Sequence, residues 1–242
     1  MMEIKSFGGG ERQKECERIL SETSIGRRLI LLPIPTTRDK KYISGTDTLL
    51  SELPRMLDGD TVVAGYEIPK GLFPDNSVCD VSLDEEFLLE NALLTAKGTV
   101  GYLLTHLDRD IADVSIGIVG YGRIGKQLLR ALLLLGAEPT MLTTRRAVAM
   151  ELSEMGISAR ELTEETEIAD IEILVNTAPA RLIDAGRLHK DALIIDLASG
   201  SAFDPCDRLV KLLSIPAKMY PVSAGRIYAS CIQRFLLREG IE

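Results

Sequence analysis

The chain has 242 residues and a formal net charge of −8, with 45% hydrophobic and 26% charged residues. This composition is typical of a globular protein with one large or two small domains. The acidic balance argues against nucleic acid or an anionic membrane as the main partner. No apolar run approaches the about 18 residues needed to cross a bilayer, and the N-terminus lacks the apolar core of a signal peptide, so we expect a cytoplasmic protein.

The cysteines and histidines show no spacing typical of a metal site. The four cysteines, which are far apart and form no C-x-x-C pair, are Cys16, Cys79, Cys206 and Cys231. We expect reduced thiols rather than a disulfide framework. The two histidines, His106 and His189, form no H-E-x-x-H or related pattern. We therefore predict no bound metal.

The first predicted unit of structure is a strand, a glycine turn and a helix. Residues 3–7 predict the strand, and Gly8 to Gly10 open a helix over residues 11–21. These glycines lack the spacing of a dinucleotide site, so we interpret them as a turn without a ligand. In chain order, further elements are predicted as strands at 29–32, 61–64 and 78–81 and a helix at 49–56.

The loop over residues 33–39 carries polar side chains after a buried strand. Open α/β sheets place their ligands at the carboxyl ends of strands. Thr36, Thr37 and Arg38 are therefore candidates to bind a carboxylate, Arg38 through its two-pronged guanidinium. A solvated surface loop is the alternative interpretation.

A long helix is predicted to join the two halves of the chain. Ser82 and Glu85 form an S-x-x-E capping box at its start, and it extends to residue 107. Asn91, Thr95 and Lys97 on this helix are further candidates to bind substrate. Weak catalytic candidates are Asn91, Lys97 and His106, because no catalytic dyad is evident.

The segment 115–146 contains the most informative motif of the chain. An apolar run ends in Gly120-Tyr-Gly122-Arg-Ile-Gly125 and is followed by an amphipathic helix. Gly120 permits a tight turn, Gly122 allows a pyrophosphate to approach, and Gly125 allows close packing of helix and strand. Arg123 and Ile124 lie within the turn, at the helix N-terminus that receives the phosphate.

The end of the next strand, 140–144, informs the choice of cofactor. An acidic residue about 20 residues beyond the glycines would bind the ribose of NAD, whereas an arginine accommodates the 2′-phosphate of NADP. Thr144, Arg145 and Arg146 stand here without an acid. We therefore predict that NADP is preferred, with NAD also possible.

The remaining chain continues the alternation of predicted strands and helices. It predicts a helix at 147–155, strands at 157–159, 173–176 and 193–197, an extended piece at 218–222 and a helix at 223–237. Parallel strands joined by right-handed crossovers present their carboxyl ends at one edge. The residues after two of these strands are accordingly predicted to contact the cofactor: Thr177, Ala178, Pro179, Asp196, Ala198 and Ser199.

These elements predict an α/β fold with two domains. We expect a small α/β domain over residues 1–90 on the substrate side. Residues 91–242 are expected to form a Rossmann domain with a doubly wound parallel sheet, whose C-terminal helix 223–237 packs back on the first domain.

At this point the chain resembles the dipicolinate synthase A-subunit family, relatives of the D-isomer-specific 2-hydroxyacid dehydrogenases. The matching segments are Phe7-Gly-Gly-Gly-Glu-Arg-Gln13, Leu32-Pro-Ile-Pro35, Asn91 with Thr95, Gly98-Thr99, Gly120 to Gly125, Asn176-Thr-Ala-Pro179, Asp196-Leu-Ala-Ser199 and Pro221-Val-Ser-Ala-Gly225. The chain departs from the family at Lys97, where an acid is usual, and at Gly200 to Phe203.

The resemblance implies oxidation of a dihydro- or hydroxytetrahydrodipicolinate to the aromatic diacid with NADP, in sporulating bacteria. It also implies a flavoprotein-like second subunit, and we expect a homo-oligomer that binds a small dicarboxylate. Two alternatives are a D-2-hydroxyacid dehydrogenase-like enzyme and a diverged regulatory protein that binds dinucleotide without turnover. The former requires a histidine–carboxylate pair, which is not evident in the sequence.

Overall fold

The structure is a computed structural model that describes residues 3–23, 26–198, 200 and 202–241. The chain divides into two compact units. Unit 1 comprises Met1–Asn91 and Pro216–Glu242, and unit 2 comprises Ala92–Ile215. Each unit contains its own parallel sheet.

In chain order the strands are β1 (Glu3–Ser6), β2 (Arg28–Leu31), β3 (Val62–Gly65), β4 (Ser77–Asp80), β5 (Ile116–Val119), β6 (Thr140–Thr143), β7 (Ala159–Glu161), β8 (Ile173–Asn176), β9 (Leu193–Asp196) and β10 (Leu209–Lys211). The α-helices are α1 (Glu11–Ser21), α2 (Glu85–His106), α3 (Arg123–Leu134), α4 (Arg146–Glu154), α5 (Ile215–Met219) and α6 (Pro221–Arg238). The predicted helix around Pro54 is a 3₁₀ helix, Leu50–Met56.

Unit 1 is built on the four-stranded sheet β1-β2-β3-β4. Its strands are short and mostly apolar, as expected for a buried parallel sheet. Helices α1 and α6 pack closely together, since a Cβ at Gly225 would lie only 2.6 Å from the Arg12 carbonyl oxygen. The C-terminal segment therefore belongs to unit 1, and unit 2 ends at Ile215 rather than at residue 242.

Unit 2 contains six parallel strands in the order β7-β6-β5-β8-β9-β10. Numbered along the chain within this unit, the order is 3-2-1-4-5-6, which is the Rossmann order. The chain winds away from β5 in one direction and then in the other, so the switch point lies between β5 and β8. The predicted α/β doubly wound fold is confirmed.

The structure corrects the prediction near the C-terminus. Residues 218–222 were expected to be extended, but they span the end of α5 and the start of α6. Pro221 occupies the first turn of α6, where its fixed φ and missing N–H are tolerated. The edge strand β10 has three residues and no alternating pattern, and it was not predicted.

The predicted capping box is also corrected. Ser82 lies in a 3₁₀ turn, and its backbone N–H donates to Asp80. Helix α2 is instead capped by Asp84, whose carboxylate accepts from the Phe87 N–H at 2.8 Å. The strand expected at 157–159 begins only at Ala159.

No α-helix in the described part of the chain is long and apolar enough to cross a membrane. The same residues include no group of three or more His, Cys, Asp or Glu side chains arranged to hold a metal ion.

Candidate functional site

The glycine turn of unit 2 lies at the carboxyl end of β5, beside the switch point. Gly120 has φ +92°, a conformation that side chains rarely adopt. A Cβ at Gly125 would lie 1.9 Å from the Gly120 carbonyl oxygen. Only glycine at position 125 therefore allows the first turn of α3 to pack against the end of β5.

Gly122 contrasts with Gly125 in what surrounds it. It is the N-cap of α3, and a Cβ built there would meet no atom of the described residues within 4 Å. No side chain in the described part of the chain caps this helix, and no acidic residue occupies its first turn. The first N–H groups of α3, next to Arg123 and Ile124, thus adjoin free space, which is the arrangement that binds phosphate at helix N-termini.

Thr177 ties the glycine turn to the neighbouring strand. Its hydroxyl donates to the carbonyl oxygens of Val119 at 2.8 Å and Gly120 at 3.1 Å. The same oxygen would lie 3.0 Å from a Cβ at Gly120. Thr177 therefore fixes the turn from the end of β8, rather than presenting a free hydroxyl to a ligand.

A buried pair of polar side chains organises the loops after β8 and β9. The Asn176 amide donates to Asp196 Oδ1 at 2.8 Å and to the Ala178 carbonyl at 2.9 Å. The Ala198 N–H donates to the same Asp196 oxygen. Asn176 and Asp196 are 1% and 0% exposed, so they shape the two loops from within.

The two loops also meet at the sheet edge. A Cβ at Gly200 would lie 3.1 Å from the Pro179 carbonyl oxygen, and Pro179 itself is exposed. Ser199, the remaining predicted contact here, lies outside the described residues. Asn176 was not among the predicted site residues, although its position at the end of a buried strand was a signal that could have found it.

Three exposed residues follow β6: Thr144, Arg145 and Arg146. The Arg145 guanidinium donates to the Tyr121 carbonyl oxygen at 3.1 Å, so it reaches the glycine turn. Lys126 Nζ lies 5.0 Å from the centroid of the Tyr121 ring. This end of the turn is therefore positively charged despite the net negative charge of the chain.

The predicted substrate residues of unit 1 are mostly engaged within their own loop. Thr36 is fully buried, and its hydroxyl accepts from the Tyr66 N–H at 2.8 Å. The Thr37 hydroxyl donates to Asp39. Arg38 is exposed and lines a depression of about 290 Å³. Of the three, Arg38 alone has its polar group at an open surface.

The candidates on α2 differ in exposure. Asn91 is half-buried, Thr95 is buried and Lys97 is exposed. His106 lies at the C-terminal end of the helix, where its ring stacks on Tyr102 at 3.9 Å between centroids.

Both histidines lie at the amino edge of the unit 2 sheet. His106 precedes Arg109, which pairs with Glu172 at 2.5 Å, and Glu172 immediately precedes β8. His189 lies four residues before β9. Strands of four residues are about 13 Å long, which separates both rings from the glycine turn. This placement argues against catalysis by His106.

The strand order, the glycine turn and the open N-terminus of α3 are the arrangement of a Rossmann dinucleotide-binding domain. Residues 97–214 match the family described as D-isomer specific 2-hydroxyacid dehydrogenase, NAD binding domain. This match supports the interpretation that the protein binds a nicotinamide dinucleotide and is an oxidoreductase.

The chain is similar to the dipicolinate synthase A-subunit of Bacillus subtilis (strain 168), and the resemblance predicted from the sequence is confirmed. The chain is 28% identical to it over 163 residues, which cover 63% of this chain and 55% of that protein. The match thus spans little more than half of the relative's length.

Solved structures of dipicolinate synthase A-subunits share the fold. The dipicolinate synthase A-subunit from Bacillus halodurans has a TM-score of 0.78 and 20% identity, with 97% of each chain covered. The A chain of dipicolinate synthase from Bacillus subtilis has a TM-score of 0.76 and 20% identity, and the match covers 100% of this chain and 98% of that chain.

Proposed function

We propose that this protein is an NAD(P)-dependent oxidoreductase that converts dihydrodipicolinate, or its hydroxytetrahydro precursor, to dipicolinate. The observation that carries the proposal is the geometry of the glycine turn. At Gly125 the helix packs directly against the Gly120 carbonyl, whereas the space beside Gly122 is open to a ligand. The substrate class is taken from the name of the relative, a dipicolinate synthase.

The residues of unit 2 fit a dinucleotide in distinct ways. The N–H groups at the start of α3 would hold the pyrophosphate, and Thr177 would keep the turn in place. Asn176 and Asp196 would fix the loops that adjoin the nicotinamide. When bound, the cofactor supplies a hydride acceptor.

We further propose that NADP is preferred over NAD. The supporting contact is that of Arg145 with the Tyr121 carbonyl, because it holds a guanidinium beside the turn. A charge-assisted hydrogen bond to a 2′-phosphate is stronger than one to a neutral hydroxyl. No acidic residue stands among Thr143 to Arg146 to repel that phosphate.

A second candidate function is dinucleotide binding without turnover, as part of a complex with a second protein chain. The placement of both histidines favours it over a 2-hydroxyacid dehydrogenase, because alcohol oxidation requires a general base near the hydroxyl. Aromatisation of a dihydropyridine ring depends less on a strong base, since the product itself favours loss of the proton. The relative is named as one subunit of a synthase, which supports a partner chain.

Titration with NADP and NAD, followed by a turnover assay with dihydrodipicolinate, tests these proposals. Binding with formation of reduced cofactor supports the synthase, whereas binding without turnover, both alone and together with a flavoprotein partner, supports the regulatory function. Gly122→Ala should weaken dinucleotide binding, because its methyl group would enter the phosphate space. Gly10→Ala is the matched control for dinucleotide binding alone, since Gly10 is an N-cap glycine of unit 1 with no described atom within 4 Å of its Cβ position.

A further inference from the structure

Arg12 is a buried cation in unit 1, without a counter-ion among the residues that the structure describes. It is the second residue of α1 and is 7% exposed. Its Nε is buried without a hydrogen-bond partner. Arg18 on the same helix is exposed and pairs with Glu15 and Glu22. The isolation of Arg12 is therefore a property of its position and not of the helix.

The Arg12 side chain remains charged at neutral pH. Burial lowers its pKa to about 10, opposed by the nearby Tyr228 and Cys16. An unpaired charge that is shielded from water carries a large desolvation penalty. Such a group is typically compensated by an anion.

The N-terminus of α1 lies at the carboxyl edge of the unit 1 sheet. The Gln13 amide donates to the carbonyl oxygens of Phe7 at 2.5 Å and Leu31 at 2.7 Å, directly after β1 and at the end of β2. The Tyr228 hydroxyl donates to the Leu32 carbonyl at the same edge. Ligands of open α/β sheets bind at this edge.

A second unpartnered polar atom lies at the same turn. A Cβ at Gly8 would lie 3.0 Å from the Ser44 carbonyl oxygen, so the Ser44 loop packs against the glycines. The Ser44 hydroxyl is buried and has no hydrogen-bond partner among the described residues. A Cβ at Gly9 or Gly10 would meet no atom of the described residues within 4 Å, which leaves space for a ligand beside the first N–H groups of α1.

We propose that Arg12, Ser44 and the N-terminus of α1 form a binding site for one carboxylate group of a small organic acid. A single guanidinium matches one carboxylate in charge and in its two-pronged geometry. The one acidic residue in the first turn, Glu11, is exposed and paired with Lys14 at 2.7 Å. Ser44 also borders the Arg38 depression, and its backbone N–H donates to the Thr36 carbonyl oxygen at 2.9 Å. Assigning the ligand of this site to the substrate rests on the proposed function.

Calorimetry and thermal unfolding of the full chain test this site, with dipicolinate, picolinate and inorganic phosphate as probes. Arg12→Met should weaken dipicolinate binding by about tenfold or more, while affinity for NADP stays unchanged. Its Tm without ligand should equal or exceed that of the wild type, because a methionine of similar volume removes an uncompensated charge. Ser44→Ala should weaken dipicolinate binding by a smaller factor, and Arg18→Met is the matched control.

Unchanged dipicolinate affinity in Arg12→Met would overturn the proposal, as would a wild type that binds phosphate alone or none of the probes. If Arg12→Met does not fold, Ser44→Ala decides, and unchanged affinity in that variant counts against the site. A wild type that fails to bind NADP or NAD, but binds dipicolinate through Arg12, would refute the proposed function and leave the carboxylate site standing.

Discussion

At the residue scale, Gly122 and Gly125 separate ligand binding from folding within one turn. We predict that Gly122→Asp abolishes dinucleotide binding without unfolding the protein, because its carboxylate would occupy and repel the pyrophosphate site. Fluorescence titration with NADPH and thermal unfolding measure the two effects.

Gly125→Ala is the counterpart of that variant. It places a methyl group against the Gly120 carbonyl and should cost about 1–3 kcal/mol of stability or more. A Gly122→Asp protein that binds dinucleotide with wild-type affinity would show that the site is misplaced.

Arg145 belongs to the same scale, because one side chain is proposed to select the cofactor. Arg145→Ala should weaken NADP binding by about 1.5–3 kcal/mol, roughly tenfold to a hundredfold, and NAD binding much less. Arg146→Ala provides a comparison, since the Arg145 guanidinium is the one that contacts the Tyr121 carbonyl. Equal losses for both cofactors would assign Arg145 to general stability.

At the scale of elements, the start of α2 depends on one carboxylate. Asp84 accepts from the Phe87 N–H and from Arg234 at 2.9 Å. Burial raises the pKa of Asp84, but the hydrogen bonds from Phe87 and Arg234 outweigh it, so the pKa is lowered overall. The folded state therefore holds the charged form more strongly than the unfolded chain does.

The sign of the pH dependence follows from that shift. The contribution of Asp84 is fully present above the unfolded pKa of about 4 and is lost as pH falls through the lower folded value. We predict that the free energy of unfolding, measured in urea at neutral and acid pH, depends less on pH in Asp84→Asn than in the wild type. This variant retains a capping oxygen. An identical pH dependence in the variant would contradict this assignment.

The elements that the sequence predicts best are those with local signals. The segment formed by β5, the glycine turn and α3 combines an apolar run, spaced glycines and a helical period. Residues 218–222 lacked such a signal, because Pro221 is compatible both with an extended piece and with the first turn of a helix. The three residues of β10 are too short for any period to be evident.

The residues of the site also differ in how well the sequence predicts them. Arg145 follows from the rule for strand ends, whereas the bonds from Thr177 to the glycine turn join positions 57 and 58 residues apart. Arg12 was in the sequence motif, but its lack of a partner depends on burial by α6, which sequence reasoning cannot supply. The placement of the histidines could have been foreseen, since each precedes a strand.

At the scale of the whole molecule, the thiols offer a test of both units together. Three of the four cysteines, Cys16, Cys79 and Cys231, are buried, and Cys206 is exposed. Burial raises the pKa of Cys16. The pKa of Cys79 is raised mainly by its hydrogen bond with Cys231 and also by burial. The Cys16 and Cys79 thiols are thus protonated and unreactive in the folded protein, and burial shields Cys231 from reagents.

We predict that the folded protein reacts with one equivalent of a thiol reagent and that the unfolded chain reacts with four. Cys206→Ser should abolish the rapid phase in the folded state and leave the others unchanged. Rapid labelling of more than one thiol would show that the unit 1 core is less tightly packed than the structure indicates.

The position of the histidines also constrains the kinetics of any reaction at the glycine turn. Imidazole is the side chain that ordinarily titrates between pH 5 and 8. With both rings at the amino edge of the unit 2 sheet, neither would reach a substrate bound beside the glycine turn at the carboxyl edge. A rate measured against pH should therefore lack an inflection near pH 6.5, and His106→Asn and His189→Asn should reproduce the wild-type profile.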